Sequence, residues 1–178
     1  MDIDVQMGNM AVTTEPHNLI TSGVGSCLVV TLYDPKCKIG ALAHTMFPLP
    51  STKNAEHEAR SLGSKSSETP SGQQPFVISE QVTTMTKETK YVDVAIDEML
   101  KKMESQGARR EYLEAKLIGG ANMFPSINSD IGKDNVSNAK RKLKAEGIKI
   151  VGECVGGSQG RSVEFSPATG VVTVKIKF

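Results

Sequence analysis

The chain carries almost no net charge, with 21 lysines and arginines against 20 aspartates and glutamates in 178 residues. A balance of this kind supplies no long-range field to recruit nucleic acid or an anionic membrane, so neither is expected as a partner. Cysteine is scarce as well. Cys27, Cys37 and Cys154 are odd in number and form no C-x-x-C pair, which argues against a disulfide framework and for a reducing cytoplasm. No apolar run approaches the ~18 residues of a membrane span, and the opening "MDIDVQMGNM" is acidic where a signal peptide is basic and then apolar. A cytoplasmic, unprocessed protein without membrane insertion is expected. His17, His44 and His57 are scattered and have no cysteine or carboxylate at ligand spacing, so no metal is expected. The glycine-rich stretch "GVGSCL" has Leu28 where a G-x-G-x-x-G loop requires glycine, so the dinucleotide reading fails and no cofactor is expected.

What is present suffices for one domain. Apolar residues are 38% of the chain without its 16 glycines, close to the globular average once these are added, and the length can bury a core without staples. "CLVVTLY" from Cys27 to Tyr33, the turn "DPKCK" and "IGALAHTMF" read as a β-hairpin. Residues 51–89, rich in Ser, Thr, Lys, Glu and Gly, read as a long mobile loop inserted within a domain spanning 1–178. Val92, Ile96, Met99 and Met103, flanked by Leu100, repeat at helical spacing, and Gly107 ends that helix. A strand Ala115 to Ile118 runs into a Gly119-Gly120 turn. Val136, Ala139 and Leu143 mark a second, basic-faced helix stopping at Gly147, and "IKIV" follows as a strand. The end of the chain reads as a second hairpin with Val172, Val174, Ile176 and Phe178 on one face. Helices fall between groups of strands without strict alternation, which favours a mixed α+β domain over a doubly wound one.

The first hairpin bears on chemistry through its register. A tight turn centred on Lys36 sets Cys27 opposite His44 or Thr45, and directly opposed Cβ atoms lie ~4.5–5.5 Å apart. A neighbouring imidazole can hold a thiol of pKa ~8.5 as thiolate, donate the proton to a leaving group and later take one from water. Gly25 and Ser26 supply a turn whose backbone N–H groups can face a developing oxyanion. Set against this, a lone cysteine packs more often than it reacts, and a lone histidine is usually structural. The residues alone leave both readings open. The glycine pairs Gly119-Gly120 and Gly156-Gly157 are either turns needing unusual backbone or part of a cleft wall that binds substrate. Arg161 is either a surface charge or a partner contact.

Several separated blocks resemble the CheD family of chemoreceptor glutamine deamidases: "ITSGVGSCLVVTLYDPKCKIGALAHTMFPLP", "KYVDVAIDEML", "LEAKLIGGANMF", "IGKDNV" and "GECVGGSQGRSVEF". Their order and spacing cover most of the chain outside the loop. The resemblance implies that Cys27 is the nucleophile, His44 its partner, and Thr21 a hydroxyl that orients the histidine. It implies an α/β sandwich shared with glutamine-deamidating bacterial toxins, a β-sandwich-like α+β domain with flanking helices. It also implies hydrolysis of glutamine side chains on the cytoplasmic regions of methyl-accepting chemotaxis receptors, with methylesterase activity in some members. The CheC phosphatase is implied as a partner, and a module that only docks on CheC and stimulates it is the alternative. Two features depart from the family pattern: the long loop after the histidine block, and Cys154 where an acidic residue is common.

Overall fold

The strand-forming segments pair into two sheets in a computed structural model that describes residues 1–50, 88–123 and 130–177. The smaller sheet has the order β1 (Asp2–Asp4), β3 (Asn18–Val24), β8 (Gly160–Ser166), β9 (Val171–Lys177), antiparallel except for β1 against β3. The larger has the order β2 (Met10–Thr14), β5 (Ile39–Thr45), β4 (Leu28–Asp34), β6 (Glu114–Gly119), β7 (Lys149–Val155). Its β6 and β7 run parallel, and helix α2 (Ile131–Ala145) makes the crossover that parallel neighbours require. Helix α1 (Val92–Ser105) precedes β6.

Two apolar clusters define three layers. Leu19, Val24, Val163 and Phe165 of the small sheet meet Val29, Leu42 and Ile118 of the large one. On the far face of the large sheet, Val30, Leu32, Ala41 and Leu117 pack against Ile96, Met99 and Met103 of α1 and Ala139 and Leu143 of α2. Strands β4 and β5 are thus covered on both faces, which is why "LVVTLYD" and "IGALAHT" lack a polar alternation. The α+β sandwich with flanking helices holds, with both helices on one side. All five apolar residues expected on the first helix are buried, and Gly107 follows it at φ +100°.

Three expectations need correction or delimiting. The hairpin turn is one residue longer than a turn that opposes Cys27 to Thr45 and two longer than one that opposes it to His44: Asp34 pairs with Ile39, and the Asp34 carboxylate accepts the amides of Lys36 (2.8 Å) and Cys37 (3.2 Å). This side-chain turn holds four residues in the loop, with Lys38 at φ 54°, and moves the register so that Val29, not Cys27, opposes His44. In the last hairpin Val172 and Val174 pack on the inner cluster, whereas Ile176, on the edge strand β9, is 42% exposed. Phe178 lies outside the described residues, as does the loop expected at 51–89 apart from Glu88 and Thr89. The flanks of that stretch are stitched together: Met46 and Phe47 amides donate to Lys90 O, and Val92 N donates to Phe47 O.

Candidate active site

His44 sits near the end of β5 with its ring between the sheets and only 1% of its surface exposed. Across the gap, Thr21 on β3 places its Oγ1 2.8 Å from His44 Nδ1, so one sheet supplies the imidazole and the other the hydroxyl that orients it. The opposite ring nitrogen, Nε2, is buried and has no hydrogen-bond partner among the described residues. Burial lowers the imidazole pKa to about 4, Asp4 pulling weakly the other way, and the ring is neutral at pH 7. A neutral imidazole held at Nδ1 with Nε2 unengaged has the arrangement of a general base.

Cys27 precedes β4 and is half-buried and free. The β4–β5 ladder ends at Leu28, one residue after Cys27; if the strand parity of Val29, the partner of His44, were continued past that end, Cys27 would fall on the imidazole's face as a diagonal neighbour, not a directly opposed one. Its Sγ lies 3.6 Å from Met7 Sδ. Burial pushes the thiol pKa up, and the Cys27 backbone N–H pulls it part of the way back. Burial thus moves both groups toward their neutral forms.

The turn before the thiol is held by its carbonyls. Gly25 O accepts from Ala121 N (2.9 Å), Ser26 O from Asn135 Nδ2 (3.0 Å) and Cys27 O from Gly120 N (2.8 Å). In a planar trans peptide the C=O and the next N–H point in opposite directions. Fixing the Gly25 and Ser26 carbonyls from behind therefore aims the Ser26 and Cys27 amides away from Gly119-Ala121 and α2. Gly119, at φ +115°, is required here, because a Cβ at that position would overlap the Cys27 carbonyl oxygen and Val24 Cγ1.

The other expected residues separate. Gly120, Gly156 and Gly157 line a cavity of about 350 Å³ at the start of α2, with Asn122, Lys133 and Val136; Gly119 does not line it. Thr21 and His44 line a second cavity of about 200 Å³ with Asp4, Gln6, Met7 and Ser22. Arg161 is not a surface charge. It is 6% exposed, and its Nη2 and Nη1 donate to Gly156 O (2.7 Å) and Gln159 O (3.3 Å), while its buried Nε has no partner among the described residues. Cys154 packs partly buried against the inner cluster. Sequence reasoning gave no role to Met7 or Asn135; for Asn135 the signal was a pair of asparagines, 135 and 138, flanking the apolar stripe of α2.

Residues 77–176 match the family model described as CheD chemotactic sensory transduction. The chain is 37% identical over 177 residues to the chemoreceptor glutamine deamidase CheD of Halalkalibacterium halodurans, covering 97% of this chain and 92% of that one. It is 34% identical to the chemoreceptor glutamine deamidase CheD of Thermotoga maritima (96% and 89% covered). It is 36% identical to the probable chemoreceptor glutamine deamidase CheD of Methanococcus vannielii (98% and 95%). No helix among the described residues is long and apolar enough to cross a membrane.

Proposed function

The chain belongs to the CheD family, and from that premise we propose that it is a protein-glutamine amidohydrolase that converts glutamine side chains of chemoreceptors to glutamate with release of ammonia. The observation that carries the chemistry is the Thr21–His44 bond across the two sheets, which leaves Nε2 without a partner among the described residues, on a strand whose ladder with β4 ends one residue from Cys27.

In this mechanism rotation about χ1 swings the sulfur from Met7 toward His44. Nε2 takes the thiol proton as the sulfur attacks the carboxamide carbon, forming a C–S bond and a tetrahedral oxyanion. The Ser26 and Cys27 amides, aimed outward by the pinned carbonyls, donate to that oxyanion. His44 returns the proton to the departing ammonia, leaving a thioester. It then takes a proton from water, whose oxygen attacks the acyl carbon, and restores the thiol as glutamate leaves. Thr21 fixes the ring throughout. No cofactor takes part. The substrate helix lies in the cytoplasm across the mouth formed by Met7 and the 25–27 turn, with the Gly120 and Gly156-Gly157 cavity as a secondary contact. CheC is the partner on this reading.

The test is mass spectrometry of a purified receptor cytoplasmic fragment incubated with the full chain. The expected result is an amide-to-acid mass gain at specific glutamines with the wild type and none with Cys27→Ala, whose fold is checked by thermal unfolding. Unchanged deamidation by Cys27→Ala would remove the thiol from the mechanism. No gain from wild type on any receptor offered, beside stimulated CheC phosphatase, would favour a docking module instead.

A further inference from the structure

Asn135 lies in the second turn of α2 and is fully buried, in a position where an amide is unfavourable unless its donors and acceptor are used. Its Nδ2 donates both hydrogens, to Ser26 O and to Met46 O, each at 3.0 Å. Its Oδ1 is buried and without a partner among the described residues. The side chain therefore leaves an acceptor unmade while both its donors reach two backbone carbonyls on the two sides of the candidate site.

Those two carbonyls stand where the sheet stops. The β4–β5 ladder ends at Leu28 and Thr45, so Cys27 and Met46 would form the next pair but belong to no ladder. One carbonyl precedes Cys27 by a residue; the other follows His44 by two. Where backbone pairing ceases, the Asn135 amide replaces it as the tie between the strand carrying the base and the turn carrying the thiol. It also has a directional effect: with Ser26 O held by Asn135, the N–H of the same peptide, that of Cys27, is turned toward the thiol side.

We propose that Asn135 is a positioning residue for this reaction, fixing the Cys27 amide as an oxyanion donor and holding the thiol's turn in register with His44. The proposal rests on the deamidase reading for its role in turnover, but its geometric part concerns the thiol alone. Asn138, one turn further along α2, provides the comparison. It donates to Pro48 O (2.6 Å) and to Asp93, tying the same helix to the same outgoing segment without touching the 25–27 turn.

The experiment uses the full chain with Asn135→Ala, Asn135→Asp and Asn138→Ala, all first checked by thermal unfolding. Asn135→Asp keeps the volume and, when ionised, loses both donors. For deamidation of a receptor fragment, both Asn135 variants are expected to lose about 10²- to 10³-fold in kcat, the scale of one lost oxyanion donor, with KM little changed. Asn138→Ala is expected to keep its kcat while losing stability. Independently of any substrate, the pH midpoint for iodoacetamide alkylation of Cys27, read at its own peptide, should move up in the Asn135 variants because the Cys27 amide is no longer held toward the sulfur. Retained kcat in both Asn135 variants, or an equal loss in Asn138→Ala, overturns the proposal. If the wild type deamidates no receptor, the alkylation midpoint alone decides: a shift confined to the Asn135 variants supports the positioning role, and no shift refutes it.

Discussion

Burying His44 as a neutral ring ties acid stability to the candidate base. In the unfolded chain the imidazole titrates near 6.5; in the fold, burial holds it near 4. The unfolded state therefore binds the extra proton first as pH falls. The stability contributed by keeping this ring neutral is fully present above pH 6.5 and is lost progressively down to about pH 4. Proton linkage gives a loss of about 0.8 kcal/mol at pH 6, about 2 at pH 5 and about 3 at pH 4. Carboxylates remote from the ring also titrate over this range, and their contribution is common to wild type and His44→Gln. The difference between the two urea-unfolding free energies, measured at pH 7, 6, 5 and 4.5, isolates the imidazole: the variant should be less stable at pH 7 and lose less on acidification. The same shift sets the acid limb of kcat/KM for deamidation, expected near pH 4 and not near 6.5. Parallel stability losses in the two proteins, together with an acid limb near 6.5, would refute the assignment of His44 as a buried neutral base.

Two further substitutions read the supports of the site. Gly119→Ala combines a backbone conformation unfavourable to L residues with overlap onto the Cys27 carbonyl, and should cost about 2–5 kcal/mol. Gly156→Ala has positive φ but open space around its Cβ and should cost only about 1–2 kcal/mol; equal losses in thermal melts would show that the overlap relaxes freely. Thr21→Val leaves a buried Nδ1 unpaired, for about 1–3 kcal/mol of stability and a fall in kcat with KM held. Thr21→Ser should restore both, and a Thr21→Val enzyme with full kcat would remove the hydroxyl from the orientation of the ring.

The helices and the central hairpin were legible because their apolar residues repeat at a single period: Val92 to Met103 by three and four, and "LVVT" as an unbroken run covered on both faces. Register was not legible, because it depends on a side chain, the Asp34 carboxylate, reaching two turn amides. That one capping contact moved the pairing of Cys27 and His44 from opposed to diagonal. The face survived, because the shift from a directly opposed register is two residues, a whole pleat period. Thr21 was reached only through the family resemblance; nothing in "LITSG" announces a hydroxyl facing a histidine on another sheet. Arg161 stayed open in the sequence between a surface charge and a partner contact, because its burial against Gly156 O and Gln159 O is a tertiary fact. Asn135 stood in plain view, but its meaning depends on where a ladder ends.

The contact between Thr21 and His44 spans the interface between the two layers. The ladders run within each sheet, but the His44 imidazole, the candidate base, meets its Thr21 partner only when the layers are docked. Turnover is therefore a gauge of sandwich closure. As the layers begin to part on heating or in denaturant, activity should vanish while strand and helix content remain, so the enzyme reports its own tertiary integrity before any secondary structure is lost.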